Sequence, residues 1–542
     1  MVELSTLDWL VLAGFFLLLL AVVYFSMRQK EEDTADYFLA GRNAGWLVIG
    51  ASIFASNIGS EHLVGLSGAG AQSGMAMAHW ELQSWIILLL GWVFVPFYWS
   101  SKVYTMPEFL ERRYNSASRT FLSVISLVSY VLTKVAVTVY AGGIAFKTIL
   151  GIDSIWGIDF FWISALGLVI VTGIYTVLGG MKAIMWTSVL QTPVLIIGSV
   201  VILVVGLDKV GGWAEVERLN DANMHLIRSA SDAEFPWPGI VFGSFIIGFW
   251  YWCTDQYIVQ RVLSAKNIKA ARRGTMFAGY LKLLPVFIFL VPGMIAYALQ
   301  AKGIISYDSA DQAFPTLVSE LLPAGVKGLV IGGLVAALMS SLASLFNSSA
   351  TLFTIDFYKK FKPESSEKHL LKVGRMATIV IVLLGILWIP VMSLIADVLY
   401  EYLQSVQSLI APGIAAVFLL GLISKRITPS AGFIGLVSGF VLGMVRLVLL
   451  PFKEDLQGSA FAWITNMNWL YYCILLFVVV TAIMILVSMV TQRASDEKLK
   501  GLTFSSLGKE NMQAMIKDLD KWDYIHTVGI LGITALIYIR FW

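Results

Sequence analysis

Ala55-Ser56-Asn57-Ile58-Gly59-Ser60-Glu61-His62 lies in the middle of an apolar run, residues 46–69. The run is long enough to cross a bilayer, yet five polar or ionisable groups and a glycine occupy its centre. Such groups are costly at membrane depth and normally face a cavity or a ligand. Unwound backbone survives in a bilayer only where protein buries it or where it lines a cavity, and broken helices are a mark of transporters. This stretch therefore predicts a membrane helix broken at its middle.

Composition points the same way. The chain has 542 residues, 58% of them hydrophobic and 13% charged, against about 25% charged in ordinary soluble domains. A net charge of +3 implies no nucleic-acid partner. Cys253 and Cys473 lie in apolar segments and read as packing residues with no disulfide. The first apolar run is preceded by Glu3 rather than by a basic stretch, so no cleavable signal is expected. No nucleotide loop or metal motif indicates an enzyme.

Runs of about 20 apolar residues span a bilayer. Fourteen are expected: 7–27, 46–69, 78–100, 120–150, 159–179, 182–206, 238–258, 274–299, 324–357, 376–395, 398–424, 429–450, 466–490 and 523–541. The chain then reads as one all-α integral membrane domain. Arg28, Lys30, Lys102, Arg112, Arg113, Arg119, Arg272, Arg273, Lys359, Lys360 and Lys362 fall in alternate connections, whereas Gly70–Met77 has no basic residue. The positive-inside rule places the basic set in the cytoplasm of a cell membrane, plasma or inner, and both termini outside. The long outer connection 207–237 is expected to hold a short surface helix, and 493–521 to be a polar inner connection.

The seventh run carries Gly248-Phe249-Trp250-Tyr251-Trp252-Cys253-Thr254-Asp255-Gln256. It lies five segments after the first interrupted run. Two interrupted helices at corresponding positions fit an inverted repeat of five plus five helices, 46–206 and 238–424.

The chemistry follows from oxygen. Ser340, Ser341 and Ser344 place hydroxyls on adjacent faces of the ninth run. Sodium is a hard cation that favours oxygen, as other hard ions do. Two hydroxyls with carbonyls freed near Ala55 and Ile58 would make such a site without a carboxylate, although small residues also serve simply to let helices pack. Asn57, His62, Glu81, Lys282 and Gln404 supply donors and acceptors for a hydroxyl-rich ligand. Glu81 and Lys282 equally fit a structural ion pair. Trp80, Tyr251, Trp252 and Tyr400 could stack on a sugar ring. Lys134 and Asp255 read as structural charges, Asp255 pairing with Arg261.

On these residues the chain resembles the sugar cotransporters of the sodium:solute symporter family. The likeness covers nearly the whole length. Its most specific pieces are Ala55-Ser56-Asn57-Ile58-Gly59-Ser60, Tyr104-Thr105-Met106-Pro107-Glu108-Phe109, Trp250-Tyr251-Trp252-Cys253-Thr254-Asp255-Gln256, Ser264-Ala265-Lys266-Asn267, Ser340-Ser341-Leu342-Ala343-Ser344-Leu345-Phe346-Asn347 and Ala415-Ala416-Val417-Phe418-Leu419-Leu420. The resemblance implies the fourteen-helix, LeuT-like inverted-repeat fold, in which the first helix of each repeat is broken, and alternating access. It implies a sodium site at the carbonyls of Ala55, Ile58 and Ala337 and the hydroxyls of Ser340 and Ser341. It implies a sugar site at Asn57, His62, Glu81, Ser84, Tyr251, Trp252, Lys282 and Gln404. Tyr251 would form the inner gate, and Leu66, Trp80 and Tyr400 the outer one.

Three positions depart from the family pattern. Gly248 stands where sugar members carry Asn or Thr, so one sugar hydrogen bond is expected to be lost or replaced by water. Ser188, in Trp186-Thr187-Ser188, stands where members with a second sodium site carry aspartate. Ala343 stands where they carry a hydroxyl. The expected function is sodium-coupled uptake of a hexose, with one sodium per sugar. A polyol such as myo-inositol, or a sugar acid such as sialic acid, on the same scaffold is the alternative, followed by a sodium-gated sugar sensor. The expected partners are sodium, the sugar and the bilayer, with no obligate protein partner.

Overall fold

A computed structural model of the chain describes residues 4–28, 32–59, 61–101, 103–392, 399–506 and 519–542. Among the described residues the protein is almost wholly helical. The one sheet is a hairpin of Ser154–Ile155 and Ile158–Asp159, turned by Trp156 and Gly157 at positive φ. Among the described residues, ten helices are long and apolar enough to cross a membrane, from Thr6–Ser26 to Lys521–Arg540. Three shorter apolar helices accompany them: Trp46–Asn57, Val137–Leu150 and Gly239–Thr254. Large apolar side chains point outward on the peripheral helices, as at Leu17, Leu387, Val528 and Ile539. Water does not tolerate such a continuous apolar exterior, and hydrocarbon does.

The interior is ordered by where polar groups are satisfied. The first helix opens with a capping box between Ser5 and Asp8. The same Asp8 carboxylate accepts from the backbone of Gly325 and Gly328, each at 2.7 Å. One buried acid thus caps two helices and ties the start of Thr6–Met27 to that of Val326–Thr351. The helix Val326–Thr351 is buried from Val330 to Thr351, packing against Phe160–Val210.

The runs expected at 159–179 and 182–206 form a single helical stretch, Phe160–Val210, with one sharp turn at Gly180 (φ 51°, ψ −157°). That conformation is open to glycine and strained for other residues. The connection expected at 70–77 is helical instead: Ser67–Ser73 continues into a short turn, Gly74–Met77. Met75, Ala76 and Met77 are buried, so the backbone must meet its own hydrogen bonds there. The surface helix expected within 207–237 is Trp213–Leu219. Of the polar connection 493–521, residues 507–518 lie outside the described residues.

Both interrupted segments are broken. Trp46–Asn57 ends at Ile58, which is extended (φ −83°, ψ 106°), and the chain resumes as a π-helical turn at Glu61–Leu66. Gly239–Thr254 ends at Asp255, also extended (φ −77°, ψ 127°), before Gln256–Leu263.

Candidate functional site

The first break faces the serine-rich helix. Ser341 Oγ lies 3.1 Å from the Ser56 carbonyl and 3.3 Å from that of Ile58. The Tyr257 hydroxyl donates to the same Ser56 carbonyl, and the hydroxyls of Ser56 and Ser344 are 2.8 Å apart. Gly59 is crowded: a Cβ there would stand 2.2 Å from Glu61 Oε2 and 2.8 Å from Ser341 Oγ. A larger residue there would have to push both side chains aside.

Adjacent helical residues point about 100° apart, and the serine pair divides accordingly. Ser341 faces the break. Ser340 faces Ser188, 3.3 Å away, and Ser188 itself donates to the Ile184 carbonyl at 2.7 Å. Ile58 and Ser341 are therefore brought together, while the Ser340 hydroxyl turns toward a neighbouring helix. Ala55 and Ala337 are buried in the same region. This convergence of carbonyl and hydroxyl oxygens suits a hard monovalent cation, which needs no His or Cys.

Beside it lies a narrow cavity of about 40 Å³ between the broken helices. Asn57, His62, Trp80, Tyr251, Trp252, Lys282 and Gln404 all line it. Lys282 Nζ is its hub, donating to Glu81 Oε2 at 2.6 Å and Asn57 Oδ1 at 3.0 Å. Asn57 donates onward to the Tyr251 hydroxyl at 3.2 Å. His62 Nε2 stands 3.4 Å from Glu81 Oε1. The indole of Trp252 lies under Lys282, with Nζ 5.3 Å from the ring centre. Gln404 is buried, and its Oε1 has no hydrogen-bond partner among the described residues.

Glu81, Ser84 and Leu66 sit apart from the cavity wall. Glu81 reaches the cavity through Lys282. Ser84 Oγ is buried, with no hydrogen-bond partner among the described residues. Leu66 is fully buried. Trp80 stacks on Trp469, with ring centres 5.7 Å apart. The side chain of Tyr400 lies outside the described residues.

One assignment is corrected. Asp255 does not pair with Arg261. It holds Lys134 at 2.8 Å and accepts from the Tyr130 hydroxyl and the Tyr257 N–H. Arg261 donates to the Tyr257 carbonyl of its own helix. Asp255 caps the second break, and its side-chain partners, Lys134 and Tyr130, come from a helix remote in sequence.

The cavity also holds residues that sequence reading passed over, Glu61, Gln83, Thr138, Tyr257 and Gln407, and Lys134, which was expected only as a structural charge. Gln407 stands one turn beyond Gln404, a spacing that places both on one face and was open to reading. Glu61 Oε2 has no hydrogen-bond partner among the described residues.

Comparison with known proteins places this geometry. A family model described as the sodium:solute symporter family matches residues 37–439. The sodium/myo-inositol cotransporter of Canis lupus familiaris is 37% identical, covering 93% of this chain and 76% of that protein. Sodium/glucose cotransporter 4 of Mus musculus is 36% identical, covering 92% and 78%, and sodium/glucose cotransporter 1 of Oryctolagus cuniculus is 36% identical, covering 92% and 81%. A solved structure of a sodium-coupled sialic acid symporter in a substrate-bound outward-open state superposes with a TM-score of 0.77 at 22% identity, covering 91% of this chain and 100% of that one. At that identity the likeness speaks to the fold. By family match and by full-length relatives, the chain belongs to the sodium:solute symporter family and is a multi-pass sodium-coupled solute symporter, not an enzyme.

Proposed function

We propose that this symporter couples the entry of one sodium ion to the uptake of one neutral hexose by alternating access. The observation that carries the neutral-solute reading is the pairing of charge in the cavity. Each lysine lining it is already matched to a carboxylate, Lys282 to Glu81 and Lys134 to Asp255. An acidic solute would meet no unmatched lysine there. A neutral polyhydroxylated ring would instead exchange its hydroxyls for the hydrogen bonds among Asn57, Glu81, Lys282 and Tyr251. The proposed contacts are these four with His62, Ser84, Trp252 and Gln404.

Sodium is proposed to bind the carbonyls of Ala55, Ile58 and Ala337 with Ser340 and Ser341. Supporting this, Ser341 bridges the break to the neighbouring helix, so an ion at that place would fix the broken helix. Asn57 ends that same helix and enters the solute network. Sodium would thereby pre-order one wall of the solute site and favour the outward-open state. Binding of solute then closes Trp80, Leu66 and Tyr400 above it and releases Tyr251 below. An ion crossing a 100 mV potential supplies about 2.3 kcal/mol.

The architecture proposed is fourteen crossings in one domain, with inverted repeats at 46–206 and 238–424 and both termini outside. The turn at Gly180 and the breaks at Ile58 and Asp255 support it. The turn at Gly180 separates the runs 159–179 and 182–206, and each break falls within the run that would open a repeat.

A cyclic polyol is the second reading. Relatives named for myo-inositol and for glucose stand within one per cent of each other in identity. Sodium-dependent uptake of labelled glucose into proteoliposomes, with galactose, myo-inositol and sialic acid as competitors, decides. Competition by galactose above the other two supports the hexose. Competition by sialic acid alone would reject the neutral-solute reading.

A further inference from the structure

Gly248 lines the cavity, and the space above it is filled. A Cβ at this position would stand 2.5 Å from Gln83 Oε1, 2.7 Å from Gln83 Cδ and 2.7 Å from Ile86 Cδ1. No carbon tolerates those distances, so Gln83 holds its place only because residue 248 has no side chain. The hydrogen bond expected to be lost at Gly248 is thus replaced by a carboxamide from another helix.

That carboxamide is oriented without ambiguity. Its Oε1 is 3.1 Å from Trp252 Nε1, and its Nε2 is 3.0 Å from the Ser244 carbonyl. An indole N–H can only donate and a backbone carbonyl can only accept, so the two neighbours fix which end is which. Oxygen keeps a second lone pair and nitrogen a second N–H. A hydroxyl both donates and accepts, and it matches this remaining pair. Gln83 is buried, and among the described residues it alone lines both this cavity and a groove of about 550 Å³ lined by Trp85, Trp237, Ser244 and Tyr538. It is therefore part of the wall that bounds the solute. Its other consequence runs through Trp252, whose ring lies beneath Lys282. Turning that indole would shift the Lys282 ammonium that joins Glu81 and Asn57.

We propose that Gln83, housed in the room left by Gly248, is a specificity-determining residue that reads one hydroxyl of the solute and holds Trp252 in place. This rests on the reading of the cavity as the solute site. The two residues act as a unit: a side chain at 248 should act chiefly by displacing Gln83, with Ile86 Cδ1 the other atom it would meet.

The test is a double-mutant cycle read by solute binding to the purified full chain in saturating sodium. Glucose, galactose, myo-inositol and a series of monodeoxyglucoses serve as probes. Gln83→Met keeps the volume and removes the amide. It should weaken the preferred solute about tenfold or more, and flatten the penalty for one deoxy position while leaving the others. Gly248→Ala should cost a similar factor alone and clearly less in the Gln83→Ala background, where only the contact with Ile86 Cδ1 remains. The sodium dependence of thermal stability should stay as in the wild type, which also reports that each variant is folded.

Equal cost of Gly248→Ala in both backgrounds, or an unchanged deoxy series in Gln83→Met, would overturn the proposal. A variant at one of the two positions that fails to fold leaves the decision to the other. Loss of folding in every variant at both positions would mark the pair as structural and overturn it too. Controls at Gln404 and Lys282 separate the two levels. If Gln404→Ala and Lys282→Ala also bind normally, the solute lies elsewhere and both readings fall. If only the Gln83 variants bind normally, this inference falls alone.

Discussion

Ser341 and Ile58 meet at 3.3 Å, hydroxyl to carbonyl, at the residue where the first broken helix becomes extended. The contact joins a continuous, deeply buried helix to a piece of backbone that has left helical geometry. An ion held there would bridge the same two elements more strongly than a neutral hydrogen bond does.

Ser341→Ala should abolish sodium-driven uptake while leaving the protein folded. The substitution removes one proposed cation ligand and two weak contacts, so the stability cost should be no more than about 1–3 kcal/mol. Uptake measured against sodium concentration checks it. Undiminished sodium dependence in the variant would remove Ser341 from the site.

Glu81 and Lys282 form an ion pair with side chains no more than 4% exposed. Removing one partner leaves the other as an uncompensated buried charge, at a cost of roughly 3–5 kcal/mol. Glu81→Gln and Lys282→Met should each lower thermal stability, and the double variant should lose less than the sum. Additive losses would show that the two do not act as a pair.

Gln404→Ala should weaken solute binding by about tenfold with folding intact, because it removes a carboxamide that has an oxygen to spare in the cavity. Equilibrium binding to the purified protein measures it. Wild-type affinity in this variant, together with no penalty for any deoxy-sugar in the wild type, would reject the assignment.

Asp255 should couple to Lys134 more strongly than to Arg261. Double-mutant cycles on thermal stability with Asp255→Asn, Lys134→Met and Arg261→Met give the two interaction energies. The reverse order would restore the pairing that proximity in sequence suggested.

That pairing shows where sequence reading ends. Arg261 lies one and a half turns from Asp255 along the chain, whereas Lys134 is 121 residues away. Hydropathy patterns say that a charge is buried but not which helices touch. The first break was legible because polar groups at membrane depth are too costly to be accidental. Asn57, His62, Tyr251, Trp252, Lys282 and Gln404 were legible through resemblance, and the structure gathers them at one cavity. Ser84 and Leu66 were named from the same resemblance, but they lie off its wall. Gly248 was seen as a missing hydrogen bond. Its proposed replacement by Gln83 was invisible, because it depends on two helices meeting where the carboxamide fills the room a side chain at 248 would need. The connection expected at 70–77 is instead helical, because its buried backbone must meet its own hydrogen bonds, and hydropathy alone does not show that burial.

The central claim is coupled transport of one sodium with one neutral solute, and the reversal potential of solute flux in proteoliposomes tests it most directly. Ser188 and Ala343 provide neither a carboxylate nor a further hydroxyl for a second ion, and desolvating a charge without such ligands is costly. The account predicts a ratio of one sodium, and one charge, per solute. A ratio of two would contradict it. It would then direct attention to Glu61, whose carboxylate has an oxygen without a hydrogen-bond partner among the described residues, rather than to Asp255, which is engaged with Lys134 and Tyr130.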